Sequence, residues 1–120
     1  MCLKRRPSAV GDARRLVRKR LGSALSKETL DDLLVVVSEL VTNAVLYGRG
    51  DVGLSVRCDG KHVAGEVSDQ GAGFVEQQRA HDPTRVGGNG LFMVGRIADS
   101  WGLRGGETNV WFEIPLRRRS

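Results

Sequence analysis

The chain has 120 residues, 40% of them hydrophobic and 28% charged, which gives one ordinary globular domain around one core. No apolar run reaches the ~20 residues of a membrane span, so no membrane partner is expected. The formal charge of +5 resides at the ends: residues 1–20 balance at +7 and 117–119 at +3, whereas 21–116 balance at −5. An acidic body argues against direct nucleic-acid binding. The basic start reads as a solvated helix face or as a surface for an acidic protein partner.

Residues 1–8 carry charges with no apolar stretch behind them and do not read as a secretory signal. They are expected to be a flexible end of a single domain spanning 1–120, as are residues 117–120. Apolar positions at Val10, Ala13, Leu16, Val17, Leu21 and Leu25 recur every three or four residues and predict a helix over 8–25. Ser26 is a natural N-cap for a longer helix running to Tyr47, with Gly48 as its stop. The period then changes to two. Val52, Leu54 and Val56 alternate into one strand, Asp59-Gly60 signals a hairpin turn, and Val63, Gly65 and Val67 alternate into the next.

Residues 69–90 are Gly-rich, charged and aperiodic, the signature of a functional loop in so small a domain. A third helix is predicted over 90–98, a strand over 101–103, a Gly105-Gly106 turn, and a last strand over 110–116. The order implies an α+β fold: a two-layer sandwich with helices on one face of a mixed, mainly antiparallel sheet. Cys2 and Cys58 match no disulfide framework or zinc spacing, and a reducing, cytoplasmic location is expected. His62 and His81 pair with no cysteine cluster.

Four features carry chemistry. Glu39 and Asn43, at i and i+4, share one face of the second helix, with Tyr47 extending the column. A carboxylate there can act as a base toward a hydroxyl and an amide oxygen can ligate Mg²⁺; a solvated polar face is the plainer alternative. Asp69, followed by Gly71 and Gly73, ends a strand. It can accept a hydrogen bond from an exocyclic amine such as adenine's, or it can serve an ordinary turn. Gly87-Gly88-Asn89-Gly90-Leu91 opens a helix, offering N–H groups to a phosphate or merely a flexible entry. It is neither a P-loop nor a dinucleotide fingerprint, since no Gly-Lys-Ser/Thr follows and the third glycine is missing. Thr108 precedes the last strand, where its hydroxyl either supports the Asp69 contact or faces solvent.

Taken in order, these boxes resemble the GHKL (Bergerat-fold) ATPase superfamily, and within it the bacterial anti-sigma factor/serine-protein kinase family. Val37-Ser-Glu-Leu-Val-Thr-Asn-Ala44 resembles that family's N-box. Asp82-Pro83, Gly87-Gly88-x-Gly90-Leu91, Ala98-Asp99-x-Trp101-Gly102 and Val110-Trp-Phe-Glu-Ile-Pro115 resemble its later landmarks. Tyr47 and Asn89 depart from the residues usual at their positions. The resemblance implies ATP and Mg²⁺ as cofactors. Asp69 would hold the adenine amine, with Gly71, Gly73 and Thr108 around it. Asn43 would ligate the metal, and Gly88, Gly90 and Leu91 would lie at the phosphates under a lid of residues 74–90. Glu39 would be the base toward a serine hydroxyl. The implied partners are a sigma factor, a STAS-type anti-anti-sigma protein as phosphoryl acceptor, and a second copy in a homodimer. The alternative is an ATP-binding interaction module with little or no kinase activity. A sensor histidine kinase is disfavoured because no helix presents a phosphoacceptor His.

Overall fold

Among the described residues the longest element is the helix α2 (Lys27–Tyr47). It starts where Ser26, in extended backbone, accepts a hydrogen bond from the Thr29 N–H, and it stops at Gly48, whose N–H donates to the Ala44 carbonyl at 2.8 Å. Leu33, Leu34, Val36, Val37, Leu40, Val41 and Ala44 are all buried, an apolar face wide enough to cover both a second helix and a sheet. In the computed structural model, which describes residues 1–70, 94–104 and 109–116, those two neighbours are α1 (Ser8–Leu21) and a five-stranded sheet.

Helix α1 presents Ala9, Ala13 and Val17 to the core, one residue per turn, and the two alanines let its backbone approach α2 closely. It ends four residues short of the predicted Leu25. The Gly22 N–H closes on Arg18, and the chain then turns with Ala24 and Leu25 both donating to the Leu21 carbonyl. Leu25 still packs against the core from this turn, which explains why its spacing reads as helical. One cation of α1 faces inward. Arg14 donates from Nη1 to Ser38 Oγ at 2.7 Å and to the Leu34 carbonyl at 3.4 Å, tying the two helices together with charge-assisted bonds.

The strands are β1 (Cys2–Leu3), β2 (Val52–Cys58), β3 (His62–Ser68), β4 (Ser100–Arg104) and β5 (Asn109–Pro115), in the spatial order β1-β2-β3-β5-β4. Every pairing among the described residues is antiparallel, so the expected parallel component of the sheet is not found there. Residues 1–8, expected as a loose end, contain an edge strand instead. Leu3 is buried opposite Val52, and the N-terminal ammonium donates to the Leu54 carbonyl at 2.8 Å. The sequence signal was weak because a two-residue strand shows no alternation.

Registers Leu54↔Val67, Val63↔Ile114 and Val67↔Val110 put the alternating apolar residues on one face, against the helices. The opposite face carries Ser55, Arg57, Glu66 and Glu113, so the fold is the expected α+β two-layer sandwich. The β2–β3 turn falls where Asp59-Gly60 predicts it. Asp59 Oδ1 accepts from the His62 and Lys61 N–H groups, and these bonds hold its carboxyl below the usual carboxylate range. Of the predicted third helix, residues 94–97 are helical with Val94 fully buried, and Ala98 follows outside the helix with its N–H donating to the Val94 carbonyl. Residues 90–93, the Gly105-Gly106 turn and residues 117–120 lie outside the described residues.

Gly65 sits opposite Phe112, whose ring is buried beneath it. A Cβ at Gly65 would come within 2.9 Å of Phe112 Cε2 and of the Ser55 carbonyl oxygen. Both neighbours are fixed, one by the core and one by the ladder, so neither can yield cheaply. Gly65→Ala is therefore expected to lower stability by about 1–3 kcal/mol in urea unfolding, the usual cost of overpacking.

Candidate functional site

Two elements bring the sequence-predicted residues together. Glu39 and Asn43 project from α2 as neighbours on successive turns, and both are half-buried. Among the described residues neither side chain has a hydrogen-bond or ion-pair partner. A half-buried carboxylate and amide are costly to keep unless other protein groups, solvent or a ligand satisfy them, and among the described residues no side chain does so. Asp69 comes from the residue after β3. Its carboxylate lies directly against Gly48 at the C-terminal end of α2: a Cβ there would stand 2.9 Å from both Cγ and Oδ2 of Asp69.

The junction around this contact is laced by the main chain. The Gln70 N–H donates to the Arg49 carbonyl at 2.8 Å, and Gln70 Oε1 accepts from the Asp51 N–H at 3.3 Å. The end of β3 and the start of β2 are thereby fixed to the end of the helix that carries Glu39 and Asn43. At ~1.5 Å per residue, Asn43 lies about 7 Å and Glu39 about 13 Å along the α2 axis from Gly48. Along the axis the order is therefore Asp69, Asn43, Glu39; around it, at ~100° per residue, Gly48 lies about 140° from Asn43 and about 180° from Glu39, so the groups share an axial order and not one face.

Sequence reading identified these three groups but gave Gly48 only the part of a helix stop. Its second duty, leaving room for Asp69, is tertiary and leaves no local signal. The Gln70–Arg49 brace was likewise missed, since backbone pairing between two loops has no periodicity to read. Gly71, Gly73, Gly88, Gly90, Leu91 and Thr108, together with the 74–90 lid, lie outside the described residues. Among the described residues no group of three His, Cys, Asp or Glu side chains is arranged to hold a metal ion. No described helix is long and apolar enough to cross a membrane. Cys2 and Cys58 are free and exposed; the Cys2 thiol is pushed up by its hydrogen bond to Asp51.

The model of the histidine kinase-like ATPase domain matches residues 3–114. A stretch of 62 residues is 40% identical to an anti-sigma F factor of Pasteuria penetrans; it covers 47% of this chain and 41% of that protein, so the match spans about two fifths of the relative's length. The matched span takes in α1, α2, β2, β3 and β4, all of β1 and β5 but Cys2 and Pro115, and Glu39, Asn43 and Asp69. With an α+β sandwich of antiparallel strands and an N-box helix ending on the Asp69 carboxylate, the chain belongs to the histidine kinase-like (GHKL) ATPase domain family.

Proposed function

We propose that this chain is an ATP-binding regulator of a sigma factor that also phosphorylates a serine of a STAS-type antagonist protein. The observation that supports this reading is the order of Asp69, Asn43 and Glu39 along the α2 axis, with the last two lacking protein partners among the described residues. Asp69, held against Gly48, accepts a hydrogen bond from the adenine amine. Asn43, one to two turns away, offers its amide oxygen as a metal ligand. Glu39, a further turn on, faces the position of a hydroxyl at the γ-phosphate. That order is the order of base, phosphates and acceptor in the nucleotide.

Charge supports a need for Mg²⁺. Glu39 and Asp69 are both carboxylates, so a triphosphate set between them would meet like charge that Mg²⁺ would offset. The metal supplies charge neutralisation at the phosphates, which is most of what phosphoryl transfer asks of a site. In the transfer the serine oxygen bonds to the γ-phosphorus, the bond from phosphorus to the bridging oxygen breaks, and ADP leaves. Glu39 takes the hydroxyl proton and later releases it to water. The relative's name speaks for an anti-sigma role in that protein and says nothing of chemistry. A second reading therefore stands beside the first: an ATP-dependent interaction module in which Glu39 is dispensable.

Two measurements check the reading. Asp69→Asn replaces a charged acceptor by a neutral amide and is expected to weaken MgATP binding about 10- to 100-fold in calorimetry, the worth of a charge-assisted bond. Unchanged affinity would refute the adenine assignment. Glu39→Gln should keep MgATP affinity within about two-fold while lowering transfer of labelled phosphate to a STAS acceptor by 10²–10⁴-fold, the usual contribution of a general base. Transfer at the parent rate would remove Glu39 from the chemistry, and no transfer by the parent to any such acceptor would favour the interaction module.

A further inference from the structure

The cations of the first 20 residues are not all accounted for by the fold. Arg14 turns inward to Ser38, and Arg5 donates to the Val45 carbonyl near the end of α2 at 3.0 Å. Arg18, Lys19 and Arg20 occupy the last turn of α1, where the helix dipole favours positive charge. Lys4 and Arg6 have no such explanation. They precede the N-terminus of α1, the positive end of its dipole, and no acidic residue stands in its first turn to offset them. Both are exposed and, among the described residues, neither has a hydrogen-bond or ion-pair partner.

These two side chains converge with Arg15 and Lys19 on an open groove between β1 and α1, over a floor that includes Leu3 and Leu16. The acidic residue in the groove, Asp12, is paired with Arg15 on its own helix. Alongside runs β1, which stands at the end of the strand order, so its outer edge pairs with no described strand. An edge strand with a cationic wall and an apolar floor suits a particular occupant. Such an occupant pairs by its main chain and alternates carboxylates with apolar side chains.

We propose that this groove binds an acidic, extended segment of a partner protein, which adds alongside β1 and sets its carboxylates against Lys4, Arg6, Arg15 and Lys19. A nucleic acid is a poorer fit. The groove offers no aromatic ring to stack a base, and the body of the chain carries −5 over residues 21–116, which repels a phosphate polymer. The groove includes none of Glu39, Asn43 and Asp69, so the proposal stands or falls independently of the nucleotide reading.

The test uses the full chain without nucleotide and a short fluorescein-labelled peptide of alternating Glu and Val, followed by fluorescence anisotropy. Saturable binding is expected, weakened at least ~10-fold by the pair Lys4→Glu and Arg6→Glu. The control pair Arg18→Glu and Arg20→Glu makes the same change in net charge outside the groove and should stay within about two-fold of the parent. In the unmutated protein, amide NMR shifts on adding the peptide should cluster at residues 2–6 and 12–19, a readout that needs no variant to fold. Absence of saturable binding, equal loss in both pairs, or shifts centred elsewhere would overturn the proposal. So would tighter binding to single-stranded DNA or to phosphatidylserine vesicles that the Lys4/Arg6 pair abolishes.

Discussion

The contact between Asp69 and Gly48 is the constraint from which the site follows. A carboxylate at the end of β3 rests where a side chain at the end of α2 would otherwise be, and only a residue without a Cβ leaves that space open. Because Gly48 also closes the last hydrogen bond of α2, the position of Asp69 is set relative to the helix axis itself. Glu39 and Asn43 lie on that same rigid axis. The spacing of Glu39 and Asn43 is therefore governed by one helix, and the place of Asp69 by its contact with Gly48 and by the Gln70–Arg49 hydrogen bond between the two adjoining loops.

What holds α2 in place is the two-sided burial of its apolar face. The sheet side is filled by alternating residues of β2, β3 and β5, with Phe112 seated under Gly65. The α1 side is filled by Ala9, Ala13 and Val17, and Arg14 adds a polar tie at Ser38, the residue next to Glu39. Fully burying each large apolar side chain is worth roughly 1.5–3 kcal/mol against exposure. The helix that carries Glu39 and Asn43 is thus anchored on two sides.

Much of this was legible in the residues. Ser26 and Gly48 bracket α2 as its cap and stop, the alternations of 52–56 and 63–67 define the hairpin, and Asp59-Gly60 marks its turn, because each of these signals is local. The i, i+4 spacing of Glu39 and Asn43 could be read for the same reason. Other features needed the folded chain. The placement of β5 between β3 and β4 is a choice of topology, β1 is too short to show a period, and α1 stops at Leu21 because Gly22 and the following turn keep Leu25 in the core without a helix. The double duty of Gly48 is invisible in sequence, since a helix-ending glycine looks the same whether or not a carboxylate lies against it. The glycines of the two loop boxes and Thr108 fall outside the described residues, and their part in the site rests on the family resemblance.

The most direct measurement is MgATP affinity of Gly48→Ala, alongside its thermal unfolding. The added methyl must displace either the Ala44 carbonyl or the Asp69 carboxylate. A domain that still unfolds cooperatively but binds MgATP at least ~10-fold more weakly, a loss of about 1.4 kcal/mol, is the predicted result. A folded variant with the affinity of the parent would contradict the claim that this contact sets the nucleotide site.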